Sequence, residues 1–219
     1  MFEYQGVKIT WLGHDGFKIE DGGKTLVIDP FQLKQKVPAD YVLVSHEHQD
    51  HSNAEDLKKV VKPNETIIVG IQASKSEIEK ASPMEIKIVK PGDRVKLGNF
   101  EVRAVPAYNT NKFRSPGKPF HPKEDGKVGY IIKTNSGVSI YHTGDSDLIP
   151  EMQNLMPDIA LLPVSGTYVM TADEAVEAVR KIRPKIAIPM HYGTIVGSES
   201  DARKFKGSAE TEVHILTAE

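Results

Sequence analysis

Cysteine is absent from this chain, which excludes disulfides, thiolate metal ligands and a nucleophilic thiol. A surplus of one charge is absent too: 28 Lys and Arg face 30 Asp and Glu, for a formal net charge of -2. That balance gives no electrostatic case for a nucleic acid or an anionic membrane as partner. No apolar run approaches the roughly 18 residues of a membrane span. The opening MFEYQGVKITW lacks the apolar centre of a signal peptide, so a cytoplasmic protein is expected. Histidine is scarce, with eight in 219 residues, and its placement is therefore informative.

Three of the eight fall in the stretch VLVSHEHQDHS, Val42 to Ser52. Val42, Leu43 and Val44 read as a short buried strand. After Ser45 come His46, His48, Asp50 and His51, imidazoles and a carboxylate suited to zinc, manganese or iron. His46 and His48, two apart on an extended or looped backbone, present both rings to one side. Asp50 and His51 lie just beyond, at a helix start. This spacing suits two neighbouring cations, a His pair for one and an Asp-His pair for the other.

The remaining residues read as alternating short strands and a few helices. Strands are expected over Val7–Leu12, Gly16–Glu20 and Thr25–Ile28, with a hairpin turn at Asp21-Gly22-Gly23. Ser52-Asn53-Ala54-Glu55 has the pattern of a capping box, before a helix with Leu57, Val60 and Val61 on one face. Further strands are expected at Thr66–Val69, Ile86–Val89, Arg94–Leu97, Glu101–Val105, Val128–Thr134, Val138–Tyr141, Ile159–Val164 and Ile186–Met190, with an edge strand at Val213–Leu216. Helices are expected at Ser74–Lys80, after Thr171, and at Ser198–Phe205. Pro106 to Lys127 reads as an irregular loop of the length of a lid over a site.

Two stretches echo each other about 120 residues apart. A Gly hairpin leads to TLVIDP, a strand YVLVSHEH, a capped helix and IIV. A second leads to VSIYHTGDSD, a strand IALLPVSG, a capped helix and KIAIPMH. Two β-rich halves, each with helices on one sheet face, stack as an α+β, four-layer α-β-β-α sandwich with a pseudo-twofold relation, one domain over residues 1–219. Strand-end loops of both halves then meet along one edge, which brings His51, Asp145 and His191 together.

His46-Glu47-His48-Gln49-Asp50-His51 resembles the HxHxDH signature of the metallo-β-lactamase superfamily. Trp11–Phe17 (WLGHDGF), His142–Asp147 (HTGDSD) and Pro189–Gly193 (PMHYG) extend the resemblance over nearly the whole chain. They place it near the small metal-dependent hydrolases that include L-ascorbate-6-phosphate lactonases. The resemblance implies the same sandwich, with Asp145 bridging two divalent cations, zinc or manganese, and His191 completing the second site with Asp50 and His51. The usual third histidine of the first site is missing after Val105; Asn109 and His121 are the two candidates for its place, and the first site is more open if neither ligates. It also implies that the loop of His14 comes close to the cations.

A water between two dications falls from a pKa near 15.7 to about 7 and becomes a nucleophile at neutral pH. Asp50 can orient that water as well as ligate. Tyr108 is a candidate for substrate contact and, with His14 and His121, for passing a proton to the leaving group. The expected substrate is a small molecule with an ester-type bond, phosphodiester or lactone. Lys112, Arg114, Lys118 and Lys123 offer contacts to a phosphorylated one. A di-iron oxidoreductase on the same scaffold is the alternative. No nucleic-acid or membrane partner is expected, and a homo-oligomer is compatible with the variety among superfamily members.

Overall fold

The computed structural model describes residues 1–219. Strands β1 (Phe2–Tyr4), β2 (Val7–Gly13), β3 (Gly16–Asp21), β4 (Lys24–Ile28), β5 (Tyr41–Leu43), β6 (Ile67–Gly70) and β7 (Glu85–Ile88) form one sheet in chain order. Then follow β8 (Arg94–Leu97), β9 (Phe100–Pro106), a separate small hairpin of β10 (Phe113–Ser115) and β11 (Lys118–Pro119), and β12 (Val128–Lys133). With β13 (Ser139–His142), β14 (Ile159–Pro163), β15 (Ile186–Met190) and β16 (Glu212–Val213), all but the hairpin build a second sheet, ordered β16-β15-β14-β13-β12-β9-β8.

The internal echo is a structural repeat. Strands β1 to β4 pair antiparallel and β4 to β7 parallel. In the second sheet β8, β9, β12 and β13 pair antiparallel and β13 to β16 parallel. Each half is thus a four-strand meander followed by three parallel steps, and parallel steps require crossovers on one face. Those crossovers carry α1 (Gln49–Ser52), α2 (Ala54–Val60) and α3 (Lys75–Glu79) in the first half, and α4 (Ala172–Ile182) and α5 (Glu199–Ser208) in the second.

Alternation along the strands sorts the core into layers. Leu26, Ile28, Leu43 and Val69 pack between the sheets with Phe100, Tyr130, Ile140 and Ile188. Their neighbours Val27, Val42 and Ile68 face the other way, against Leu57, Val60 and Ile78 of the helices. The expected four-layer sandwich is the observed architecture. No helix is long and apolar enough to cross a membrane.

Four local expectations change. Asn53, not Ser52, caps α2: its side chain accepts from the backbone N–H groups of Glu55 and Asp56. Ser52 closes the short α1 that carries Asp50 and His51, because the backbone breaks to an extended conformation at Asn53. The 106–127 segment is not irregular throughout, since Ser115-Pro116-Gly117-Lys118 turns β10 into β11. The C-terminal edge strand is only Glu212–Val213, and Phe2–Tyr4 adds an unforeseen edge to the first sheet.

Candidate metal centre

The parallel strands deliver the chemistry at their carboxyl ends, where loops of open sheets gather ligands. β4 runs out into Asp29, β5 into His46, β13 into Asp145, β14 into Ser165 and β15 into His191. The β2–β3 turn adds His14 and Asp15, and the segment after β9 adds His121. His14, Asp29 and His191 all have positive φ, +50°, +41° and +57°. Backbone strain of this kind is rare outside glycine and gathers at functional sites. Gly144 precedes Asp145 with φ +61°, and a Cβ there would lie 2.7 Å from the Val128 carbonyl oxygen. Only glycine fits that turn.

Three groups of potential ligands result, each with its donor atoms within 4.8 Å of one another: His46, His48 and His121; His14, Asp50, His51 and His191; and Asp15, His51, Asp145 and His191. Two nitrogens held about 2.1 Å from one tetrahedral ion lie about 3.4 Å apart. The separations match that spacing: His46 Nε2 to His48 Nδ1 is 3.1 Å, and His51 Nε2 to Asp145 Oδ1 is 3.4 Å. Asp145 Oδ2 stands 3.3 Å from His121 Nε2, 3.5 Å from His191 Nε2 and 3.9 Å from His46 Nε2. Its carboxylate therefore lies between the first group and the other two.

Hydrogen bonds fix how four of the rings face. Ser45 Oγ donates to Asp29 Oδ2 at 2.5 Å, so its lone pair accepts from His46 Nδ1 at 2.9 Å. Asp29 Oδ2 also accepts from His51 Nδ1 at 2.9 Å, Ser165 Oγ accepts from His191 Nδ1 at 3.0 Å, and Asn109 Oδ1 accepts from His121 Nδ1 at 2.9 Å. Each contact places the ring proton on Nδ1 and leaves Nε2 with its lone pair inward, the usual arrangement of a metal-bound histidine. Nε2 of His51, His121 and His191 and Oδ1 of Asp145 are buried without a hydrogen-bond partner. Unpartnered buried polar atoms are costly, and four converging on one spot fit cation binding.

The surrounding electrostatics divide the four rings into two that favour the neutral form and two that favour the protonated one, whose Nε2 proton a cation would displace. Burial pushes the His46 and His121 imidazolium forms away, His121 down to about 4, so both favour the neutral ligand form. Burial alone would also depress His51 and His191. The carboxylates of Asp145 and Asp29 around His51, and of Asp145 and Asp15 around His191, outweigh it, and His191 rises to about 9. Burial would raise the Asp50 carboxyl, but the hydrogen bond from His14 and the charge of His51 hold it below the usual carboxylate range.

His14, Asp50, His46, His48, His51, Asp145, His191 and His121 are thus brought together. Asn109 stands behind His121: its Oδ1 accepts from the backbone and ring of His121, and its Nδ2 donates to the Tyr168 carbonyl at 2.8 Å. Tyr108 is not among the gathered side chains. It is buried, and its hydroxyl donates to Glu151 at 3.0 Å and meets Lys123 at 3.4 Å. Sequence reasoning missed Asp15, Asp29 and His142. His142 Nε2 donates to the Asp15 carbonyl, and its Nδ1 accepts from Gly144 N–H, so one ring ties the turn of Asp145 to the turn of Asp15. The clue to Asp15 and Asp29 was their place at a strand end, the position that singled out Asp145.

A family model described as beta-lactamase superfamily domain matches residues 8–191. The chain is similar to a metal-dependent hydrolase of Methanopyrus kandleri, 32% identical over 216 residues, covering 93% of this chain and 92% of that protein. It is also similar to one of Thermoplasma volcanium, 36% identical over 217 residues, covering 93% and 91%. Among solved structures, a candidate metal-dependent hydrolase from Parabacteroides distasonis superposes with a TM-score of 0.83 at 30% identity, covering 97% of this chain and 94% of that one.

Proposed function

The chain belongs to the metallo-β-lactamase superfamily and is a metal-dependent hydrolase; from that premise we propose that it holds two divalent cations, zinc or manganese, and cleaves a small ester-type bond, a phosphodiester or a lactone. The observation that carries the reading is the convergence of buried, unpartnered donor atoms from both halves of the fold. His46, His48 and His121 would hold one cation and Asp50, His51 and His191 the other, with Asp145 between them. Divalent cations so bound polarise the scissile group and make water available as hydroxide at neutral pH.

The chain's own groups do the rest. Asp50 is the most open of the carboxylates, with its side chain 24% exposed, and His14 Nε2 holds it at 3.1 Å. Asp50 thus orients the attacking water, and His14 orients Asp50. Beside His48 lies a cavity of about 450 Å³ whose wall includes Arg114, Lys118 and Phe120 of the β10–β11 hairpin and its flank. Glu47, Glu124 and Asp125 line the same cavity, so its wall has no surplus of positive charge with which to select an anionic substrate.

A di-iron oxidoreductase is the second reading, favoured by the two imidazoles and one carboxylate of His51, His191 and Asp50, a set that also serves non-haem iron. The all-imidazole first group, with no carboxylate of its own, weighs for hydrolysis. The test is elemental analysis of purified protein, then assay on model phosphodiesters and lactones after chelation and after restoring zinc or manganese. Two ions per chain and turnover lost and regained are expected. Full activity in chelated protein, or a visible iron band with no hydrolysis, overturns the reading.

A further inference from the structure

Asp15 is fully buried, and neither of its carboxylate oxygens has a hydrogen-bond donor. Two other buried aspartates near the site show what a structural carboxylate looks like here. Asp29 accepts from Ser45 N, Ser45 Oγ and His51 Nδ1. Asp147 accepts from the backbone N–H groups of Thr110 and Asn111. Asp15 has none of this: its nearest cationic neighbour is His51 Nδ1 at 3.8 Å, and that proton already goes to Asp29 at 2.9 Å.

His14 and Asp15 are consecutive, and each joins a different group around His51 and His191. In the group of His14, Asp50 Oδ2 is satisfied by His14 Nε2, although His14 Nδ1 stays buried without a partner. In the group of Asp15 every member keeps a buried unpartnered atom: both oxygens of Asp15, Oδ1 of Asp145, and Nε2 of His51 and of His191. A buried carboxylate persists when a cation neutralises it. Building on the two-cation reading above, we propose that Asp15 is a further ligand of the second cation. There it favours a hard ion of high coordination number, manganese over zinc.

The group of Asp15 offers two carboxylates, Asp15 and Asp145, beside two imidazoles, and Asp50 stands against the same two histidines in the group of His14; the first position offers three imidazoles and shares only Asp145. Oxygen-rich sets of five or six donors suit manganese-class ions, and compact imidazole sets suit zinc. The two positions therefore differ in the ion they select.

The test is titration of chelated protein with Mn2+ and with Zn2+, followed calorimetrically and by elemental analysis, in wild type, Asp15→Asn and Asp15→Ser. Wild type is expected to take two ions. Asp15→Asn should lose at least about tenfold in manganese affinity at the second position, with zinc uptake by the three-histidine position unchanged. Asp15→Ser gives the same reading if the amide misfolds. If wild type takes two ions and both variants bind manganese equally well, the role of Asp15 falls and the two-cation reading stands. If wild type takes none, both fall together.

Discussion

One amide decides which way the His121 ring faces. Asn109 Oδ1 accepts from both the ring and the backbone N–H of His121, and Asn109 N–H donates to the His121 carbonyl at 2.8 Å. Asn109 and His121, alternatives as ligands in the sequence, are thus partners, with the ring in front and the amide behind it. Removing a group that orients a ligating histidine lowers metal affinity by about 10- to 100-fold. Asn109→Ala should show a drop of that size at the three-histidine position while the second position still fills, measured by zinc titration; equal affinity for both ions would leave Asn109 no part in the site. Spacing could not choose between these residues, because twelve positions and a hairpin separate them and only the folded segment brings them into contact. His46, His48, Asp50 and His51 were legible because one turn holds all four. Asp15 was less legible: its place at a strand end was the one signal, and a carboxylate in a Gly-rich turn reads as solvated until burial is known.

Helix α1 is four residues long and carries Asp50 and His51, so its end must be fixed by the neighbouring helix. Asn53 does that by capping α2 from the break between the two helices. Ser52 looked like the cap because Ser-x-x-Glu is a strong pattern, yet the extended conformation of Asn53, φ -66° and ψ 122°, is what a cap requires. Loss of an N-cap costs about 1 kcal/mol. Asn53→Ala should therefore lower stability by about that much in denaturant titration. Ser52→Ala should do less through capping, since Ser52 Oγ makes only a 3.4 Å contact to the His48 carbonyl. The reverse order would restore Ser52 as the cap. The hairpin at Pro116-Gly117 also had a readable signal, proline followed by glycine at the centre of a turn. The many prolines and polar residues around it masked that signal, as composition averages over a turn that two residues define.

Across the whole molecule the two halves share one interior between the sheets, and the candidate ligands cross it. His46, His48, Asp50 and His51 come from the first half, and His121, Asp145 and His191 from the second. The repeat was legible because each half repeats its order of hairpin, strand and capped helix. The bonds that lock the halves together were not, since they join residues far apart in the chain: His142 donates to the Asp15 carbonyl, and the Tyr130 hydroxyl to that of Val44. Cations at this seam would tie the halves together in the folded chain alone. Ions at about 1,000 times their Kd add about 4 kcal/mol, which for a domain of this size raises Tm by about 8–16 °C. The sign with pH comes from the raised histidines. In chelated protein the His191 imidazolium, held by Asp145 and Asp15, contributes stability that is complete below the usual 6.5 and lost as pH rises through about 9. A cation must displace that proton, so its affinity strengthens over the same range. Calorimetry from pH 6.5 to 9 should find chelated protein losing heat stability while the increment from added zinc or manganese grows. A metal-induced increment that stays flat or shrinks with pH would detach His191 from the cations. Two separate melting transitions in loaded protein would show that the seam does not join the halves.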